Sequence, residues 1–413
     1  MSKILTVAIL GLGSRGADSY GKIINNDPRF NITAICDIRK EKVDRFEKEF
    51  GVEKNKCFYD EDSFFKAKHA DCLVIATQDA DHVRHCLKAL ELGYDILLEK
   101  PITPVLDECY KLLEAQKKYG GKVIVCHVLR YAPSFVSLAN YLKSGTIGRL
   151  INIHAMEQVA YWHYCHSYAR GNWRRSELTS PMIMAKCCHD LDLIQSYAGA
   201  KAKAITSFGQ LNFFKKENQP EGASDRCSTC KYKDTCLYSA YRLYVDRWKE
   251  NGSLENVWPQ NVITSTVPLT EEAIKKAIEE TYYGQCVFAC DNNVVDTQTT
   301  NILFENGITA NLLMTAFTKD VGRHYIFQGT EGEIDFDEIA NKLTIRRFGG
   351  EDEVIPFANL ADVNGGHGGG DQGIVEDMYK VFALNEPAKT SLAESLESHI
   401  IAIKAEEDRL KHI

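Results

Sequence analysis

The sequence predicts an α/β fold: a doubly wound parallel sheet at the N-terminus, joined to a C-terminal α+β domain with a large open, mainly antiparallel sheet. Three observations carry this. Apolar runs alternate with helical patterns up to about residue 127, which is the pattern of successive βαβ units. A turn with the spacing G-x-G-x-x-G, Gly11-Leu-Gly13-Ser-Arg-Gly16, follows the first run. Beyond Arg130 the chain changes to strand runs, two of them separated by Glu305-Asn306-Gly307.

Taken in order, strands are expected at 4–10, 31–36, 72–76, 95–99 and 123–127, with helices such as 80–92 and 106–119 between them. The ligand crevice of such a sheet lies beyond the carboxyl ends of its strands. Thr77-Gln78 and Glu99-Lys100-Pro101 fall there. Residues 150–161 read as a long strand. Ser180-Pro181 opens a helix running to about Tyr197, with Ser as N-cap and Pro at the first helical position. The Asn-Gly turn makes a hairpin of 299–304 and 308–316, and further strands follow at 323–328, 333–336 and 342–346. The expected domains are 1–128 and 129–413. Residues from about 212 to 268 hold three Cys and many Tyr without a clean period, and read as an insertion.

With 413 residues, 44% hydrophobic and 26% charged, the chain has the composition of an ordinary globular protein of two domains. A net charge of −8 argues against general nucleic-acid binding. No apolar run reaches membrane-spanning length, and the chain enters a strand at once, so neither a membrane segment nor a signal peptide is expected. The fourteen Cys are mostly scattered through strand and helix patterns and read as reduced thiols in a cytoplasmic protein.

The glycine turn has a physical reading. Gly11 permits the tight turn, Gly13 lets backbone approach a pyrophosphate, and Gly16 lets helix and strand pack closely. Ser14 and Arg15 lie within the same turn, whose helix N-terminus offers free N–H groups to phosphates. Asp37 ends the second strand, where a carboxylate holds the ribose 2′-OH and repels a 2′-phosphate, so NAD is expected over NADP. Arg39 and Lys40, close by, could instead accommodate that phosphate.

Lys100, at a strand end between Glu99 and a Pro, either orients a substrate hydroxyl or is a solvated surface residue. Lys186, His189 and Asp190 share one helix face. A Lys or His there could take a hydroxyl proton while hydride leaves; the bland alternative is a His held by Asp at a domain interface. Cys227-x-x-Cys230 with Cys236 has metal-ligand spacing for its first pair. A structural zinc would need a fourth ligand, for which Cys187, Cys188, His163 and His166 are candidates; otherwise these are free or disulfide-bonded thiols. His367-Gly-Gly-Gly-Asp371 is a close-approach loop that could line a sugar-sized site. Tyr161, Trp162 and Trp173 could face a pyranose ring or fill an interface.

The glycine turn, Thr77 with His82, Glu99-Lys100-Pro101 and His189-x-x-Asp192 together resemble the glucose–fructose oxidoreductase / inositol dehydrogenase (Gfo/Idh/MocA) family, over nearly the whole chain. The resemblance implies a Rossmann-type first domain binding NAD(H) or NADP(H), with Thr77, Gln78, His82, Glu99 and Lys100 beside the cofactor. It implies that Lys100 orients substrate and His189 is the acid/base, and that Arg130 and Asp192 join Tyr161, Trp162, Trp173 and His367 on the substrate side. It also implies a homodimer or homotetramer. Many members have an Asp four residues before the His. Here that position is Ala185, followed by Lys186, so Lys186 is a further catalytic candidate. Ala-Lys-Cys-Cys-His-Asp and the three-Cys insertion mark a distinct branch.

The expected activity is NAD-dependent oxidation of a secondary hydroxyl, or reduction of a ketone, on a sugar, cyclitol or glycoside. Two rivals stand beside it. One is redox-neutral glycoside cleavage through C3 oxidation and elimination. The other is a regulator that binds dinucleotide without turnover.

Overall fold

The computed structural model describes residues 3–357 and 366–413. Two sheets organise the chain. The first holds β1 (Leu5–Leu10), β2 (Phe30–Cys36), β3 (Cys57–Phe58), β4 (Cys72–Ile75), β5 (Asp95–Leu98) and β6 (Val123–Val125), all parallel, in the order β3-β2-β1-β4-β5-β6. The chain winds outward from β1 to β3 and then returns to β4. The strand order therefore reverses between β1 and β4, and the crevice opens beyond their carboxyl ends. In β1 the side chains alternate between two cores: Val7 and Ile9 enter one, Ala8 and Leu10 the other. The helix Gly370–Leu384 returns to the first of these cores with Ile374, Val375 and Met378.

The second sheet holds β7 (Leu150–Gln158), β8 (Ala202–Gln210), β9 (Thr297–Phe304), β10 (Thr309–Thr315), β11 (Gly322–Gly329), β12 (Gly332–Asp337), β13 (Lys342–Arg347) and β14 (Asp352–Pro356). Its order is β14-β13-β12-β11-β7-β10-β9-β8. The pairs are antiparallel except β7 with β10, which run parallel. Helices Cys188–Ala198 and Leu392–Leu410 pack together on one side, the latter against β8. The fold class read from the sequence is the observed one. Among the described residues no helix is long and apolar enough to cross a membrane.

Three strands, β3, β8 and β14, were not legible in the pattern. The first has two residues, and the other two are sheet edges with mostly exposed side chains. An edge buries too little to impose an alternation on the sequence. The long strand expected at 150–161 stops at Gln158, because Ala160 takes a left-handed φ of 64° and the chain enters the helical turn Tyr161–Tyr164. The single helix expected from Pro181 is also revised. Met182–Ala185 makes one turn, the chain breaks at Lys186 and Cys187, and a second helix runs from Cys188 to Ala198. Pro181 is the N-cap of the first turn, and Ser180 makes no cap: its hydroxyl donates to Asp79 instead.

Candidate active site

The three glycines of the first turn are held for three different reasons. Gly11 has φ +94°, and a Cβ there would lie 2.4 Å from the Ala76 carbonyl oxygen. A Cβ on Gly16 would lie 1.9 Å from the Gly11 carbonyl oxygen. A Cβ on Gly13 would meet nothing within 4 Å. Thus Gly11 and Gly16 serve the close packing of β1, β4 and the following helix, while Gly13 keeps an open approach to the backbone. Ser14–Gly21 forms the helical turn that follows, and its first N–H groups have no intrahelical acceptors. Asp37 sits across from this turn, buried, with one carboxylate oxygen accepting the Leu12 N–H at 2.7 Å and the other the Arg39 N–H at 2.8 Å. The Arg39 guanidinium is exposed, 3.6 Å from Asp37. Open backbone, a helix N-terminus and a carboxylate at the end of β2 are the features that a dinucleotide requires.

At the end of β4, the Thr77 hydroxyl bonds His85 Nδ1 at 3.0 Å, and Gln78 caps a short turn. His82 is buried with Nδ1 on the Pro101 carbonyl at 2.6 Å and Nε2 on the Thr77 carbonyl at 3.2 Å. His82 thus stands between the β4 and β5 strand-end loops, a neutral ring donating its single N–H to one of the two carbonyls. Arg15 points inward as well. It bonds Glu99, Tyr20 and, through two parallel bonds, Asp371 at the start of the C-terminal helix Gly370–Leu384. Burial pushes the Glu99 carboxyl up, but Arg15 and Lys100 more than offset this and hold it below its ordinary value. His367 stands over the junction with its Nδ1 3.0 Å from Asp371. A cavity of about 720 Å³ opens here, lined in part by Ser14, Arg15, His367 and Asp371.

The break at Lys186 and Cys187 makes the link between the two halves. In a continuous helix the Ala185 carbonyl would accept from the residue 189 N–H. Here it accepts from Lys100 Nζ at 3.1 Å. The strand-end lysine of the first sheet thereby touches the turn that carries His189. The His189 ring is 5% exposed, and its Nδ1 has no hydrogen-bond partner among the described residues. Burial and the nearby Lys100 charge hold its pKa well below the ordinary value, so the ring is neutral near pH 7. His127 and His367 stand at ring distances of 5.9 and 6.0 Å. Asp192 is 4.0 Å from His127 and 3.9 Å from Arg130, and burial pushes its carboxyl up to about 6.

Lys186 is not free. Its Nζ lies 3.1 Å from Glu157 on β7, a fully buried carboxylate that also pairs with Arg323 of β11 at 2.8 Å. Arg323 reaches Asp190 at 3.0 Å, and the Tyr325 hydroxyl donates to Asp190 at 2.6 Å. A line of buried charges therefore runs from the second sheet to the His189 turn. The sequence reading missed Glu157, Arg323 and Tyr325, which alternate with apolar residues on ordinary strands and carry no local signal. It also missed Asp79, a buried carboxylate that accepts from Ser180 and from Trp173 Nε1 and so joins the halves. His163, read as a possible metal ligand and as part of the Tyr161–Tyr164 segment, has a buried Nδ1 without a partner among the described residues and lies within the influence of Lys186 and Lys100.

The aromatic candidates divide. Trp173 joins the interface through Asp79. Trp162 turns toward the insertion, with the Arg247 guanidinium 3.8 Å above its ring and Trp258 at 5.6 Å, while Tyr161 lies 6.1 Å from Tyr238. Cys227, Cys230 and Cys236 lie in the insertion, away from these strand ends.

Residues 5–127 match the oxidoreductase family with an NAD-binding Rossmann fold (GFO_IDH_MocA), and residues 140–367 match that family's C-terminal alpha/beta domain. The protein YteT of Bacillus subtilis (strain 168), named as an oxidoreductase, is 23% identical over 393 residues, 90% of this chain and 88% of that protein. An inositol 2-dehydrogenase of Salmonella paratyphi B (strain ATCC BAA-1250 / SPB7) is 24% identical over 151 residues, 36% of this chain and 45% of its own length. The solved structure of a levoglucosan dehydrogenase in complex with NADH superposes with a TM-score of 0.70 at 18% identity, covering 98% of this chain and 97% of that one, a likeness of fold.

Proposed function

This chain belongs to the Gfo/Idh/MocA oxidoreductase family, with an NAD-binding Rossmann domain, and from that premise we propose that it oxidises a secondary hydroxyl, or reduces the matching ketone, on a sugar, cyclitol or glycoside. The observation that carries this reading is the contact of Lys100 Nζ with the Ala185 carbonyl, beside the buried, neutral His189. Oxidation of an alcohol needs a base at the hydroxyl while hydride departs. His189 is that base, and Lys100 orients the substrate oxygen. Nicotinamide, when bound, supplies the hydride acceptor or donor. Gly13 and the helix N-terminus receive the pyrophosphate, and Asp37 takes the ribose hydroxyls, which favours NAD over NADP.

Lys186 holds the broken turn through Glu157 and so places His189. Arg130, Asp192 and His367 border the same space and face the substrate, with Trp173 at its interface edge. The relatives named for inositol and levoglucosan support a polyhydroxylated small molecule as substrate. Exposed Phe208 on β8 and Leu303 on the neighbouring β9 support pairing of subunits through that sheet.

The test is a screen of sugars, cyclitols and glycosides with NAD, following reduced cofactor and product together. Reduced cofactor equal to product is the expected result. Product without net reduced cofactor would replace this reading with redox-neutral cleavage. Tight NAD binding with no turnover on any class would replace it with a non-catalytic binding protein.

A further inference from the structure

We propose that Cys227, Cys230, Cys236 and Cys286 form a structural zinc site that clamps the 212–268 insertion to the body of the second domain. The first three come from the insertion, and the sequence offered Cys187, Cys188, His163 or His166 as the fourth ligand. The structure directs all four elsewhere. Cys187 and Cys188 are buried in the turn that carries His189, whereas His163 and His166 pack on Trp258. In their place Cys286, well beyond the insertion, lines the same small cavity as the three insertion cysteines. Two backbone links set it there: Cys286 N–H donates to the Asp225 carbonyl at 2.8 Å, and Arg226 bridges Gln285.

The cavity is small, and its wall brings four cysteines together with Arg170 and Lys233. Its free volume of about 20 Å³ is room for one ion or one water. Thiolate sets of four select zinc in a closed tetrahedral arrangement. Arg170 supplies an independent sign. It is 1% exposed and lines the cavity. Its Nε and Nη2 donate to the Gln285 and Tyr238 carbonyls at 2.7 and 2.8 Å, and Nη2 also lies 3.7 Å from Cys227 Sγ. Its Nη1 has no partner, and no carboxylate pairs with it among the described residues. A buried guanidinium without an anion is costly. Zinc with four thiolates carries a net negative charge, which supplies the missing counter-charge.

A backbone donor already faces one of the sulfurs. The Ala240 N–H lies 3.4 Å from Cys227 Sγ. All four thiols are free. Among the described residues no three His, Cys, Asp or Glu side chains stand at ligand spacing, so closure calls for rotation of the half-buried Cys230, Cys236 and Cys286. Such a site has no open position for catalysis. Its effect on the active site is indirect: the insertion it fixes carries Arg247 and Trp258, which pack on Trp162.

The experiment uses the full chain, purified without metal-binding tags. Elemental analysis should find about one zinc per chain, and a strong chelator should lower Tm by about 5 °C or more. Stripped protein given Co²⁺ alone should develop the visible bands of tetrahedral thiolate cobalt, and the metal should protect four thiols from a thiol reagent. Cys286→Ser should lower zinc content and Tm and leave NAD affinity unchanged. A stripped protein that takes up neither Zn²⁺ nor Co²⁺, with unaltered Tm and thiol reactivity, overturns the proposal. Iron with sulfide, or a disulfide among these cysteines, would also overturn it. The cobalt and thiol readings use the unmutated chain, so they decide the matter even if Cys286→Ser fails to fold.

Discussion

Arg15 and Asp371 meet end-on, Nη1 and Nη2 each donating to one carboxylate oxygen at 2.8 Å, and Arg15 Nε reaches Glu99 at the same distance. One guanidinium thus joins the glycine turn, the end of β5 and the C-terminal helix. Burial would push the Asp371 carboxyl up, but Arg15 and His367 hold it well below its ordinary range.

Replacing Arg15 should therefore cost stability. Removing one member of a buried pair costs about 3–5 kcal/mol, and the 29% exposure of the Arg15 side chain places the expected loss near the lower end. Denaturant unfolding of Arg15→Met measures it. A loss below about 1 kcal/mol, in the range of an exposed pair, would show that solvent replaces the pairing.

His189→Ala should lower kcat by at least roughly 10²-fold, the lower range for loss of a positioned base. NAD affinity should stay near that of the parent, because the glycine turn is untouched. Lys100→Ala should behave similarly. Calorimetric titration and single-turnover rates separate the two quantities. Near-normal turnover in both variants would defeat the proposed proton path.

Lys186→Met separates a positioning role from a place in the proton path. Glu157 would keep Arg323 but lose one partner, at a cost of about 1–3 kcal/mol. The expected outcome is a lower Tm with a reduced kcat, partly restored by Lys186→Arg. Full stability with a kcat loss of about 10²-fold would instead put Lys186 in the proton path.

NAD should bind at least roughly tenfold more tightly than NADP, about 1.4 kcal/mol. Asp37 is the cause, and Asp37→Ser should narrow the gap. Fluorescence titration with both cofactors provides the check. Equal or tighter NADP binding by the parent would transfer the cofactor-selecting role to Arg39 and Lys40.

Acid should destabilise the protein before its ordinary carboxylates titrate. Burial depresses His127, His166 and His399 to about 3 each, against an ordinary value of 6.5. The unfolded chain binds these protons first. The stability they contribute is complete above about 6.5 and is lost as pH falls toward about 3. Asp192, raised by burial to about 6, has the opposite sign and partly offsets the loss between 6 and its unfolded value. Tm measured from pH 8 down to 4 should fall steadily below about 6.5. A flat profile to pH 4 would mean that these rings are solvated.

The alternation of strand and helix determined the parallel sheet, and the glycine spacing marked its first βα turn, since both depend on neighbours in the chain. Gly11 and Gly16 were legible because a turn and a close approach exclude Cβ at fixed positions. The Asn306-Gly307 hairpin was legible for the same local reason. Lys100 and His189 were singled out by motif, and tertiary structure decided that Lys100 reaches the turn that carries His189. The sequence from Pro181 to Tyr197 favours one helix. Packing of the two halves breaks it at Lys186, frees the Ala185 carbonyl for Lys100, and pairs Lys186 with Glu157. Cys286 and Arg170 carry no spacing that ties them to the three insertion cysteines. They join them because the backbone links at Asp225 and Arg226 bring remote segments side by side, and only folding creates that proximity.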